Sequence, residues 1–138
     1  MDWKLEVVAV PVTDVDRALE FYGGKLGFRQ DNDFRAGDDF RVVQVTPAGS
    51  ACSIVFGRGL PTAAPGSLKG CQFSVPDVEQ AARQLDAAGV SHSGPVHFVD
   101  GAMTPGPDPQ RQDYGTFLFF DDPDGNTWSV QEVRTPAR

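Results

Sequence analysis

One segment of this 138-residue chain gathers side chains with the chemistry of an acid, a base and a cation. His97, Asp100, Arg111, Asp113 and Tyr114 all lie on or near residues 94–115. An imidazole, a carboxylate and a phenol make His97, Asp113 and Tyr114 the candidates for catalytic acid/base work, since each can exchange a proton with a bound substrate. Arg111 offers a forked cation that could hold a ligand carboxylate or phosphate, with a salt bridge to Asp113 or Asp108 as the structural alternative. His92 and His97 are separated by Gly94-Pro95 and do not form a metal-ligand pair on one strand face. Cys52 and Cys71 read as free, small, buried hydrophobes, because a domain of this size needs no disulfide.

A second set of residues is neutral. Gln44, Ser53, Gln72, Ser74, Ser129 and Gln131 occupy strand-like segments and carry donors and acceptors without strong acid or base character. Together with Arg111 and Tyr114 they form the candidate ligand-binding set. Amides and hydroxyls between apolar walls suit the holding of a flat or polycyclic small molecule better than proton abstraction.

An internal repeat places these side chains. Val12-Thr13-Asp14-Val15-Asp16-Arg17-Ala18 lies over Val75-Pro76-Asp77-Val78-Glu79-Gln80-Ala81 at an offset of 63 residues. Each Asp follows a strand-like stretch, Leu5 to Val12 and Cys71 to Val75, and precedes a helical pattern. Val15, Ala18, Leu19 and Tyr22 make an apolar stripe for a helix from about Asp14 to Tyr22; Val78, Ala81, Ala82 and Leu85 do the same from about Val78 to Ala88. Asp14 and Asp77 are then N-caps. Strands are expected over Phe40 to Thr46, Ala51 to Phe56, Tyr114 to Asp121 and Asn126 to Val133, with turns at Pro47 to Ser50 and Asp121 to Asn126.

Strand alternation sorts the faces. Val8, Val10 and Val12, then Cys71, Phe73 and Val75, then Trp128 and Val130, should pack on helices. Val7, Ala9 and Pro11, then Gly70, Gln72 and Ser74, then Thr127, Ser129 and Gln131, should face away from them. Arg41 shares a face with Val43 and Val45 and reads as a buried ion-pair partner of Asp38, Asp39 or Glu132, or as an anion hook. Most aromatic residues are expected in the core, with Trp3 able to cap a pocket. The stretch from Gly94 to Gly115 holds four of the 11 prolines and reads as a long loop, either a lid over a ligand or a dimer contact.

Helix motif Val12-x-Asp14-Val15-Asp16-x-Ala18-x-x-Phe21-Tyr22, the following Leu26-Gly27-Phe28, and turn motif Asp122-Pro123-Asp124-Gly125-Asn126 resemble the paired hallmarks of the vicinal-oxygen-chelate, or glyoxalase/bleomycin-resistance, superfamily. Trp3 to Val7, Asp39 to Gln44 and Gly106 to Pro109 are similar to a bacterial glyoxalase-like subgroup without assured activity. The resemblance covers nearly the whole chain. It implies an α+β fold of two tandem βαβββ modules forming a curved mixed sheet, a cup, with helices on its convex side. Module one would span about 1–58, a linker about 59–69 and module two about 70–133.

The resemblance also supplies a ruler for metal ligands. Metal-dependent members carry a His or Gln about seven residues before each helix-starting Asp, and a Glu about three residues after the turn Asn. Here those positions hold Val7, Gly70 and Ser129, an alkyl group, a hydrogen and an unactivated hydroxyl. A slip of one residue would bring in Glu6 and Glu132, but it would also turn both to the helix-packing face.

The expectation is therefore a metal-free small-molecule binding protein without cofactor, holding an aromatic or drug-like ligand and working as a homodimer, as the resemblance implies. The competing expectation is a glyoxalase-like lyase, isomerase or dioxygenase using an atypical metal site (Glu6, His97, Glu132) or the loop acids and bases. A net charge of −7 with scattered basic residues argues against nucleic acid. No long apolar run or N-terminal signal stands out, so a cytoplasmic protein with no membrane contact is expected.

Overall fold

The computed structural model describes residues 1–135. The chain forms two compact units, residues 1–68 with 122–126, and residues 69–121 with 127 to the C-terminus.

In the first unit β1 (Val7–Ala9) leads to Asp14, whose carboxylate accepts from the Arg17 amide and opens α1 (Val15–Leu19). The expected single helix to Tyr22 does not form as such. Beyond Leu19 the chain widens into π-helical turns over Glu20–Lys25, with the Leu26 N–H donating to the Phe21 carbonyl five residues back. Gly23 and Gly24, both poor α-helix formers, sit in these turns. β2 (Arg29–Ala36), β3 (Phe40–Thr46) and β4 (Ser53–Arg58) complete a sheet of order β1-β4-β3-β2, with β1 and β4 parallel. β2 is an addition to the strands read from the sequence. All eight of its residues are exposed, so it lacks the one-sided apolar pattern that marks a strand.

Val10, Val15, Ala18, Phe21 and Tyr22 are buried with Val43, Val45, Ile54 and Phe56. The Tyr22 ring stacks on Phe56 at 5.6 Å. Gly57 is required opposite Val42, because a Cβ there would meet the Arg41 carbonyl oxygen at 1.9 Å.

The second unit repeats the plan. β5 (Cys71–Val75) precedes Asp77, which caps α2 (Val78–Ala87) by accepting from the Glu79 and Gln80 amides. Gly89, at φ +74°, ends the helix in the left-handed conformation that glycine takes without cost. β6 (Val96–Val99), β7 (Ala102–Pro105), β8 (Phe117–Asp121) and β9 (Thr127–Glu132) form a sheet of order β5-β9-β8-β6-β7, with β5 and β9 parallel. Val78, Ala82 and Leu85 are buried with Leu118, Phe120, Trp128 and Val130, and Phe73 stacks on Trp128 at 4.3 Å.

The proline-rich stretch is thus not one long loop. Its first part is the β6–β7 hairpin, turning through Asp100 (φ 51°) and Gly101 (φ 80°), the left-handed pair that a two-residue hairpin turn demands. Its second part, 106–116, is tied to itself. Asp108 accepts from the Gln110 and Gln112 amides, and its own N–H donates to Thr116 Oγ1.

Both units are thus α+β, each a mixed sheet carrying one α-helix between its first two strands.

Candidate ligand-binding face

Each unit locks the first turn of its helix to its sheet through an arginine. Arg41, only 3% exposed, donates from Nε and Nη2 to both carboxylate oxygens of Asp33 (2.9 and 2.8 Å), and from Nη1 to Asp16 (2.8 Å). Its buried ion pair is therefore with Asp33 and Asp16, not with Asp38, Asp39 or Glu132. Hydrogen bonds from Arg41 hold the Asp33 and Asp16 carboxyls below the usual range.

In the second unit Arg111 does the equivalent work. It donates to the fully buried Glu132 at 3.1 and 2.7 Å and to Glu79 at 2.7 Å. Asp16 and Glu79 are repeat equivalents, each two residues past its N-cap. Arg111 is therefore neither a free hook nor the partner of Asp113 or Asp108. Burial pushes the Glu132 carboxyl up, but Arg111 and the Val78 N–H (3.0 Å) pull it further down, leaving it below the ordinary value.

Two of the three loop candidates for acid/base work make hydrogen bonds of their own. Asp113 holds the Arg134 and Thr135 amides and the Thr135 hydroxyl, which draw its carboxyl below the ordinary value. A carboxylate stabilised in this way is a weaker base. His97 approaches the Gly106 carbonyl with Nδ1 at 2.8 Å, and because a carbonyl only accepts, Nδ1 carries the proton. On β6, His97 points opposite to its neighbour Phe98. Of the three candidates for acid/base work only Tyr114 is exposed, and its phenol has no hydrogen-bond partner among the described residues.

Turned away from α2, the sheet of the second unit presents a continuous neutral face. Register puts Gln72 beside Ser129, Ser74 beside Gln131, Gln131 beside Phe117 and Ser129 beside Phe119. Phe117 and Phe119 stack at 6.3 Å, and Phe98 meets Phe117 edge-on at 5.4 Å. Most aromatic residues are expected in the core, but these three line the open side. A sequence signal was present, since Phe117 and Phe119 alternate with the buried Leu118 and Phe120, leaving β8 apolar on both faces.

The amides on this face are oriented by one fixed end. The Tyr114 carbonyl can only accept, so Gln131 must turn its Nε2 toward it (3.1 Å) and its Oε1 away. Gln131 Oε1 then accepts from Gln72 Nε2 at 2.7 Å, and Gln72 Oε1 accepts the Ser129 hydroxyl at 3.0 Å. Charge on this face is confined to one end, where Thr127 donates to Asp121 (2.8 Å) and accepts from Lys69 (3.1 Å). At Phe119 the face meets a depression of about 410 Å³ lined also by Ser91, His92, Phe120 and Asp121. His92 is occupied there, accepting the Gly94 N–H at Nδ1 (2.9 Å) and facing Asp86 with Nε2 at 2.6 Å.

In the first unit the corresponding face carries Gln44 and Ser53. Asp31 accepts the Thr46 hydroxyl, so Thr46 accepts from Ser53 (2.6 Å), and Ser53 accepts from Gln44 Nε2 (3.3 Å). Asp31 and Thr46, which anchor this chain, were not read from the sequence. The Thr46 hydroxyl and Arg29 keep the Asp31 carboxyl low. Ser53 is buried. Trp3 is 87% exposed. Cys52 and Cys71 form no disulfide, and both are half-buried rather than buried.

The expected metal-donor positions do not fit a divalent cation. Val7 offers no donor atom, Gly70 has no side chain, and the Ser129 hydroxyl gives its proton to Gln72. Glu132 faces the helix side with Trp128 and Val130, bound by Arg111, so no one-residue slip supplies it. Among the described residues no group of three His, Cys, Asp or Glu side chains is placed to hold a metal ion.

Residues 4–130 match the model of the Glyoxalase/Bleomycin resistance protein/Dioxygenase superfamily, and the chain belongs to that superfamily. TnmS3, an antibiotic binding protein from Streptomyces sp. CB03234, is 30% identical, with 96% of this chain and 97% of that chain covered at a TM-score of 0.75. A glyoxalase/bleomycin resistance protein from the same Streptomyces strain is 31% identical over 94% of this chain and 100% of its own, with a TM-score of 0.72. An uncharacterised protein of Shewanella frigidimarina is 30% identical, covering 91% of this chain and 90% of that protein.

Proposed function

We propose that this protein is a metal-free binder of small aromatic molecules, acting as a cytoplasmic homodimer, with the β5-β9-β8 face of the second unit as its ligand site. The observation that carries this reading is the directed chain from Ser129 through Gln72 and Gln131 to the Tyr114 carbonyl, laid beside the stacked Phe117 and Phe119 rings. Aromatic faces supply contact area for a flat ligand, and the oriented amides supply fixed donors at its rim. His97 lies on the opposite face of β6 from Phe98, and Asp113 is held by the Arg134 and Thr135 amides, which favours binding over proton transfer on this face. TnmS3, similar over almost the full length, is an antibiotic binding protein, which is consistent with a drug-like ligand. Within the second unit, exposed Val99 and Met103 offer apolar surface that a second copy would cover. No helix among the described residues is long and apolar enough to cross a membrane.

Acridone, tetracycline and bleomycin, each at about 0.1 mM, should be tested by thermal shift and direct titration. Acridone, a flat uncharged ring system with one carbonyl and one N–H, is expected to raise the melting temperature. Phe117→Ala is expected to weaken its binding by about tenfold. Failure of all three compounds to stabilise the protein contradicts the reading. Light scattering should return twice the chain mass, and a monomer would remove the dimer from the proposal.

A further inference from the structure

Among the described residues, three other than glycine have left-handed backbone, namely Asp100 (φ 51°), Arg111 (φ 49°) and Tyr114 (φ 69°). For a side chain with a Cβ this conformation carries a cost, and for a bulky residue it is an outlier that asks for an explanation. Two of the three are explained by the fold. Asp100 sits with Gly101 in a hairpin turn that requires it, and Arg111 reaches Glu132 and Glu79 from its position.

Tyr114 is different. Its backbone is fixed from both sides by β9, since its N–H donates to the Glu132 carbonyl (2.8 Å) and its own carbonyl accepts from Gln131 Nε2 (3.1 Å). Any residue can make those two bonds, and glycine or asparagine would make them without the strain. The ring, meanwhile, is 48% exposed, and among the described residues it has no aromatic partner and its hydroxyl no hydrogen bond. The side chain is thus half-exposed and makes neither a polar nor a ring contact among the described residues.

We infer that Tyr114 is a specificity-determining ligand contact: the backbone strain is retained so that its ring stands as a preset wall at the Gln131–Phe117 end of the neutral face. This deepens the binding function proposed above and rests on it. The ligand class it selects is a flat, uncharged ring system with a hydrogen-bonding group at its edge. Such a ligand can pack against the phenol ring and the Phe117–Phe119 ladder while its edge group meets the phenol hydroxyl or the free N–H of Gln131.

The test separates strain from contact. Tyr114→Gly and Tyr114→Asn both accept the left-handed backbone and both remove the ring. Each is expected to melt no lower than wild type, with Tyr114→Gly up to about 2 °C higher, and each should lose acridone affinity by about tenfold. Tyr114→Phe keeps the ring and should stay within about threefold of wild-type affinity. Wild-type acridone affinity in Tyr114→Gly and Tyr114→Asn overturns the inference while leaving the binding function standing. A fall of more than about 5 °C in both variants also overturns it, because the side chain would then serve the fold. No acridone binding by the wild type removes the functional reading and this inference with it.

Discussion

Asn126→Ala should lower the free energy of unfolding by about 3 kcal/mol, and the melting temperature by roughly 10 °C. Asn126 is fully buried and ties together backbone groups of three segments. Its Nδ2 donates to the Pro11 carbonyl and to Asp122 Oδ2, both at 2.8 Å, and its Oδ1 accepts the Leu68 N–H at 3.0 Å. Asp122 in turn accepts from the Asp124 and Asn126 amides and from the buried Tyr22 hydroxyl at 2.7 Å. Gly66 fits close beside the turn, where a Cβ would meet the Asp124 carbonyl at 2.2 Å. Truncation to alanine strands the Leu68 N–H, at a cost of about 1–3 kcal/mol, and leaves the Pro11 carbonyl with only the Gly66 N–H and Asp122 Oδ2 with only the Tyr22 hydroxyl. Asn126→Asp should be worse, since it sets a second carboxylate beside Asp122. Urea unfolding measures both, and an Asn126→Ala midpoint equal to wild type contradicts this role for the turn.

Arg111→Met should cost a similar amount, about 3 kcal/mol, because it leaves Glu132 buried without its main counter-charge. Arg134 at 3.3 Å and the Val78 N–H soften the loss. Replacing both members, Arg111→Met with Glu132→Leu, should be less damaging than the single change, since no buried charge then remains. The pH dependence distinguishes the two states of Glu132. In the wild type its folded pKa lies below the unfolded value of about 4.3. Its stabilisation is therefore complete above that value and is lost as pH falls through the folded pKa. Asp16 and Asp33, held low by Arg41, add to the same acid loss. Without Arg111, burial dominates and raises the Glu132 pKa, so stability is fullest below about 4.3 and falls as pH rises through the raised value. The gap between Arg111→Met and wild type should therefore narrow from pH 7 to pH 4; a constant gap contradicts the ion-pair assignment.

These two networks mark the limit of what the sequence discloses. The repeat and the Asp-Pro-Asp-Gly-Asn turn carry the fold because they are local and periodic, and alternation alone separates Gln72, Ser129 and Gln131 from Trp128 and Val130. The partners of Arg41 and Arg111 are not local. Glu132 is 21 residues from Arg111, and only the paired sheet brings them together. β2 escapes because an edge strand exposed along its whole length has no apolar face to betray it. The β6–β7 hairpin escapes because its prolines outweigh the Asp100-Gly101 turn signal, although Pro105 at the end of an edge strand breaks no ladder. The open face was legible in its polar half and misread in its aromatic half, since a phenylalanine on a strand is most often core.

Acridone affinity measured before and after exhaustive treatment with EDTA bears most directly on the neutral, metal-free binding face. The expected result is one dissociation constant under both conditions, weakened by Phe117→Ala to the same extent in each. Binding abolished by EDTA and restored by a divalent cation would contradict it.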